Sequence, residues 1–371
     1  MLLKTSYKEN MKNNIKKTGL FVILVLFILL LLLFFAVTLV FNHYYNLLDI
    51  QTEEQNIEFV PNEELQEEES DLLDEITEES ASNGEEEKKE EVEEEAAAPF
   101  EGMEVSKEAF NIMVVGIDSR ENDYTGLTDA MILFSINPET KKAVMTSFLR
   151  DMYVKIPDHG ENRLNAAYSF GGTSLLSRTI SQNFGIEIDD FVIVNFWLVM
   201  DVVDAFGGVE ISVEPEEIEY LNDYLNEHNK LLEKPEGTDY LTAEDTGIQL
   251  LNGSQALGYA RIRYVGTDFG RTSRQREIIS ALIEKVKGMN ILEINSLLEQ
   301  FLPRVRTNLS QKDLTTLLFM SLGIKDYTIE SMTIPVDDTW EYTRIRGMSV
   351  IEVDFEANAK AWRDKFMESK E

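Results

Sequence analysis

Five arginines, Arg261, Arg263, Arg271, Arg274 and Arg276, fall within sixteen residues of a 371-residue chain whose formal charge is −34. Arginine presents a planar fork of donors that matches phosphate oxygens two at a time, so the cluster predicts a dedicated anion site. The competing reading is a set of surface ion pairs with the surplus acids. Arg261 and Arg263 share a face if 259–265 is extended, and Arg271, Arg274 and Gln275 share one if a helix starts near Thr272. A second constellation is acidic. Asp118 follows an apolar run in Gly116-Ile117-Asp118-Ser119-Arg120, and Asp129 opens the next run after Thr128. Carboxylates at the ends of adjacent strands lie where α/β sheets place ligands. The chain has no cysteine and three histidines, His43, His159 and His228. That excludes disulfides, thiolate sites and a cysteine nucleophile, and argues against a transition metal. Carboxylate and phosphate oxygens with water suit a hard cation, Mg²⁺ or Mn²⁺. Salt-bridged or turn-capping acids are the plainer alternative.

The elements that must position these groups read as α/β. Residues 110–117 (FNIMVVGI) form an apolar run too short for a helix, and 131–136 and 143–149 flank a turn at 137–140 that contains Pro138. Helical spacing covers 173–184 with Gly185 as its stop, after a Gly171-Gly172 turn. A strand at 191–195, an apolar helix at 197–206 closed by Gly207-Gly208, and a strand at 209–213 follow. A polar insertion at 214–252 leads to helices at 254–260, 272–288, 291–301 and 311–322 and a strand at 327–334. Alternating strands and helices predict a mixed central β-sheet with helices on both faces, in a single domain.

Charge divides the chain. Residues 1–18 carry five lysines against Glu9, and 19–41 contain no charged residue. An apolar run of that length suits the ~20 residues of a membrane helix. A cleavable signal peptide has a shorter apolar region and a small-x-small site, absent here. Lysines before the helix predict a cytoplasmic N-terminus and an extracytoplasmic remainder, a single-pass protein of the cell membrane. Residues 42–100 read as an acidic stalk, with 22 Asp/Glu against Lys88 and Lys89 in 49–98. The domain then runs over 101–340, and 341–371 packs on it or trails. Its net charge argues against nucleic acid as a partner.

The ordered strings GIDSR (116–120), TDAMILFSINP (128–138), LRDMYVKIP (149–157), RLNAAYSFGG (163–172), DAFGGVEISV (204–213), LNGSQALGYARIR (251–263) and DFGRTSRQR (268–276) resemble the LytR-CpsA-Psr family. The resemblance runs through about residues 109–290. It implies a membrane-anchored phosphotransferase that moves a glycopolymer, such as teichoic acid or capsule, from a polyprenyl-pyrophosphate carrier to a peptidoglycan hydroxyl. By the same resemblance Asp118 and Asp129 match metal-associated aspartates. Arg150, Arg261, Arg263, Arg271 and Gln275 match pyrophosphate contacts, which Arg120 joins. Asp118, Arg150 and Arg263 are the residues assigned to catalysis, and the prenyl tail is expected between the sheet and its helices. The sequence departs from the family at Leu127, where an arginine is common; either Arg120, Arg163 or Arg178 compensates, or activity is weaker or aimed at a different polymer. Two alternatives stay open: a hydrolase that uses water as acceptor, and a non-catalytic polymer-binding or envelope-sensing protein.

Overall fold

The computed structural model describes residues 42–50, 110–117, 128–322 and 327–367. The apolar run 19–41, the basic tail 1–18 and most of the acidic stalk lie outside them. Among the described residues no helix is long and apolar enough to cross a membrane. The chain divides into two units, 1–48 and 49–371. Of the first, residues 42–48 are described and carry one helical turn.

In the second unit the strands are β1 (Asp49–Ile50), β2 (Phe110–Ile117), β3 (Thr128–Asn137), β4 (Lys142–Phe148), β5 (Tyr153–Ile156) and β6 (Gly160–Arg163). Helix α1 (Leu164–Phe184), β7 (Asp190–Asn195), α2 (Phe196–Ala205), β8 (Val209–Val213), α3 (Ile218–Leu231) and β9 (Gly247–Leu251) follow. The rest is α4 (Gly253–Arg261), α5 (Thr267–Gly288), α6 (Ile291–Phe301), β10 (Arg306–Thr307), α7 (Gln311–Leu322), β11 (Thr328–Ile334), β12 (Trp340–Ile345), β13 (Met348–Val353) and α8 (Phe355–Met367). Seven strands form one mixed sheet in the order β1-β10-β7-β2-β3-β4-β11. The β2–β3–β4 meander is antiparallel, while β7 and β11 join it in parallel. This is the mixed, helix-flanked sheet that the alternation of elements predicts.

Two apolar clusters explain the layers. One packs α1 and α8 against β2, β3 and β4 through Leu176, Ile180, Phe184, Trp362 and Phe366. The other gathers α3, α4 and α5 with the β8–β9 pair around Leu221, Leu225, Tyr259 and Ile278. Residues 341–367 therefore pack on the domain.

Several boundaries differ from the sequence reading. Helix α1 starts nine residues before position 173, and Gly171 and Gly172 kink it. Gly172 has φ +62°, a conformation that a side chain opposes, so a helix on either side of it reads as a turn followed by a helix. The polar insertion holds α3, whose buried Ile218, Leu221 and Leu225 repeat at helical spacing beneath a charged face. The 259–265 segment is not extended throughout, because α4 continues to Arg261 and Ile262 is the first extended residue.

Candidate active site

A cavity of about 280 Å³ lies between the sheet and helices α2, α4, α5 and α6. Val114, Ile132 and Val194 line it from the sheet, and Val199, Val202, Ile278, Ile279 and Phe301 from the helices. One end is polar: Asp129, Arg261, Arg263, Arg271 and Gln275. An apolar tunnel with a cationic mouth can hold an amphiphile, its tail excluded from water and its anionic head on the guanidiniums.

The sheet register builds this mouth. Ile132 in β3 pairs with Ser147 in β4, so Asp129, three residues back, stands opposite Arg150, three residues on. Arg150 Nη1 donates to Asp129 Oδ1 at 2.8 Å, and Arg263 Nη2 reaches the same oxygen at 3.2 Å. Arg271 Nη1 lies 3.6 Å from it. Burial would raise the Asp129 carboxyl, but Arg150, Arg271 and Arg263 together hold it below the ordinary carboxylate range.

A second carboxylate pair braces the arginines from behind. Asp151 Oδ2 lies 3.4 Å from Arg150 Nε, and Asp268 Oδ1 lies 3.2 Å from Arg271 Nη2. Burial raises Asp151, and its hydrogen bond to Asp268 adds to that against the pull of Arg150. On Arg150 burial opposes the charge, yet Asp151, Asp129 and Asp268 outweigh it. Arg271 is different. It is 2% exposed, and none of its three guanidinium nitrogens makes a hydrogen bond among the described residues. Burial, and then the neighbouring Arg150, press its pKa down. A buried guanidinium with unmet donors is costly unless an acceptor arrives.

Helix α5 delivers Arg271 through its start. A Cβ on Gly270 would stand 2.6 Å from the Val265 carbonyl oxygen and 3.2 Å from Arg274 Nη1, so this turn requires glycine. Arg274, expected at the anion site, lies instead beneath the turn. It donates to Glu217 at 2.6 Å and to the carbonyls of Ile262 and Val265. Arg276 is also absent from the mouth and donates to Ser147 Oγ at 2.7 Å. The five clustered arginines thus split: Arg261, Arg263 and Arg271 line the cavity, and the other two do not.

Arg261 is held by α3. Its Nη1 lies 3.3 Å from Glu227 Oε2 and 3.3 Å from His228 Nε2, and its guanidinium stands 4.9 Å from the Tyr224 ring centre. His228 is buried, and burial followed by the charge of Arg261 lowers its pKa to about 4. A neutral ring accepting at Nε2 carries its proton on Nδ1, which points it to Ser254 Oγ at 3.4 Å. Sequence reasoning passed over these three residues inside the polar insertion. Their i, i+3, i+4 spacing beside a helical apolar repeat was the available signal. Asp268, three residues before Arg271, carried the same one.

Asp118 and Arg120 lie outside the described residues, as does Leu127. Of the other stand-ins, Arg163 reaches Asp151 at 3.5 Å, beside the cluster, while Arg178 pairs with Asp158 on the surface. Gln275 lines the cavity, and its buried Oε1 has no hydrogen bond among the described residues. Among the described residues no three His, Asp or Glu side chains form a metal-holding group.

Comparison with known proteins matches residues 73–365 to the LytR_cpsA_psr family. The chain is similar to the polyisoprenyl-teichoic acid–peptidoglycan teichoic acid transferase TagU of Enterococcus faecalis, 31% identical over 56% of this chain and 64% of that protein. It is also similar to Biofilm regulatory protein A of Streptococcus mutans, 33% identical over 55% of this chain and 50% of that one. The matched segment therefore spans between half and two thirds of these relatives. Among solved structures, Bacillus subtilis YwtF (TagT) with bound octaprenyl pyrophosphate lipid superposes with a TM-score of 0.52 at 26% identity. That match covers 72% of this chain and 95% of the other. The family match runs through the sheet, the cavity helices and the C-terminal hairpin alike, and the chain belongs to the LytR_cpsA_psr family.

Proposed function

We propose that this protein transfers a phospho-glycopolymer, teichoic acid, capsule or similar, from a polyprenyl-pyrophosphate carrier to a peptidoglycan sugar hydroxyl. The observation that carries the reading is Arg271, a buried guanidinium whose donors are unmet among the described residues, at the mouth of an apolar cavity. The names of the relatives and the lipid in the TagT structure support the same substrate class. In the reaction the acceptor oxygen attacks the phosphorus that bears the polymer, and the bond from that phosphorus to the bridging oxygen breaks. The lipid departs as polyprenyl phosphate, and the hydroxyl proton passes to a carboxylate, a role we assign to Asp118. Arg150, Arg263 and Arg271 hold the phosphoryl oxygens, on which charge grows as the bridge breaks. Arg261, with Arg120 and Gln275, completes the head-group contacts.

Oδ1 of Asp129 already faces three guanidiniums, so a cation there needs oxygens from the substrate as well. Mg²⁺ takes one or two carboxylates together with phosphate oxygens and water, and Asp129 with Asp118 fits that pattern. Bound Mg²⁺ or Mn²⁺ would neutralise pyrophosphate charge. The 19–41 run fits a single-pass anchor in the cell membrane with the domain outside, where lipid carrier and peptidoglycan are both within reach.

The test is to give the full-length protein in detergent a short-chain prenyl-pyrophosphate glycan and a peptidoglycan oligomer, with Mg²⁺ or with chelator. Mass spectrometry should find a phosphodiester conjugate that disappears with chelator. In Arg263→Ala it should fall about 100-fold or more, the usual cost of removing a donor to developing charge. Prenyl phosphate without conjugate would favour hydrolysis, and binding without either product would favour a non-catalytic role.

A further inference from the structure

Helix α5 has two working flanks. Arg271, Gln275, Ile278, Ile279 and Leu282 line the apolar cavity. Ser273, Arg276, Glu277, Ser280 and Glu284 recur at helical spacing on the other flank and line a separate open groove of about 390 Å³. Ser212 of β8 and Ser331 of β11 face into the same groove, so four hydroxyls border it. Of the two cluster arginines outside the cavity mouth, Arg274 is taken up by Glu217, and the other is Arg276. Its one hydrogen bond among the described residues goes to Ser147 Oγ at 2.7 Å, although a guanidinium has five donors. No carboxylate among the described residues stands within ion-pair distance of it. Burial lowers its pKa, which the charge of Glu277 opposes.

Position and charge say what would fit. Ser147 lies in β4, three residues before Arg150 in the turn that follows, and pairs with Ile132, three residues after Asp129. The groove's arginine is thus anchored about 10 Å along the strands from the Asp129–Arg150 rung, at the ordinary rise per residue. Glu210, Glu277 and Glu284 outnumber Arg276 in the lining, so a phosphate-rich polymer is repelled. Hydroxyls, carboxylates and one cation instead offer the mixed donors and acceptors that a neutral sugar with hydroxyl and amide groups requires.

We infer that this groove is the docking subsite for the acceptor glycan, holding a neutral amino-sugar chain along the outer flank of α5. From there its hydroxyl can reach the phosphate cluster. The inference rests on the transferase reading for its purpose, while its binding test does not.

The probe is a stem-peptide-free tetrasaccharide of N-acetylglucosamine and N-acetylmuramic acid with its lactyl carboxyls capped as amides, so that the chain is neutral, titrated calorimetrically into the full-length protein in detergent. Ser280 and Ser212 are exposed, so Ser280→Trp and Ser212→Trp block the groove and leave the core alone. Each should weaken tetrasaccharide binding, and raise its KM in transfer, by about tenfold or more, since a bulky ring excludes the ligand from its contacts. Affinity for a short-chain prenyl pyrophosphate and the melting temperature should both hold. Equal tetrasaccharide affinity in wild type and both variants would overturn the inference. So would a wild type that does not bind it, or one that binds a poly(glycerol phosphate) fragment there in preference. A wild type that fails to bind prenyl pyrophosphate sinks the transferase reading, and the tetrasaccharide titration still decides the groove.

Discussion

At the scale of single residues, the site depends on how each arginine is held. Arg150 and Arg263 share Asp129, the Arg271 guanidinium has no hydrogen bond among the described residues, and Arg261 leans on a neutral histidine. Folded His228 titrates at about 4 against 6.5 for the free side chain. Between those values the unfolded chain binds the extra proton, so this group makes stability rise with pH there; below about 4 both states hold the proton and the contribution is flat. Asp190, raised to about 6 by burial and then by Asp313 and Asp189, acts with the opposite sign, so the comparison must be with a variant. His228→Gln keeps an acceptor for Arg261 and removes the titration. Urea unfolding at pH 4.5 and pH 7 should then show a smaller gap than wild type, by about 1.4 kcal/mol for each unit of displacement. An unchanged gap would mean that the ring titrates normally. The cluster of arginines was legible in the sequence; its partition was not, because Arg271 and Arg274 sit three apart yet one meets the cavity and the other Glu217.

The elements explain that partition. Helix α5 must start over a tight turn, and Arg274 fastens the turn to the segment leading into α3 through Glu217, both side chains 6% exposed. Removing one partner of a buried pair strands the other charge. Glu217→Ala should therefore cost about 3 kcal/mol in chemical unfolding and loosen Arg271 and Arg261 together. The double variant Glu217→Leu with Arg274→Met should recover much of that stability; if it does not, the pair contributes more than paired desolvation. Strands β2 and β8 and helices α6 and α7 have the limits that their apolar patterns predict. Helix α1 was cut short at Gly171-Gly172, and α3 was hidden by a charged exposed face. In both cases tertiary packing supplied what local pattern lacked: α1 is buried on the sheet, and α3 closes over α4.

For the whole molecule, the sheet sets the distance between an arginine-lined mouth and an apolar cavity. Ile279→Trp should fill part of that cavity. Binding of octaprenyl pyrophosphate should fall at least about tenfold, because each excluded methylene forfeits up to about 0.8 kcal/mol. Affinity for inorganic pyrophosphate, which needs only the mouth, should hold. Equal losses for both would mean that the tail does not enter the cavity. The amino-acid sequence by itself determined the α/β class and the charge division of the chain, because apolar period and charge are local properties; its family resemblance pointed to Asp129, Arg150, Arg261, Arg263, Arg271 and Gln275, which the fold brings together. Only the tertiary structure decided that Arg274 is a buried brace, that Arg276 faces another groove, and that Tyr224, Glu227 and His228 hold Arg261. Those outcomes depend on which flank of a helix meets which strand, a choice made by packing between residues far apart in the chain.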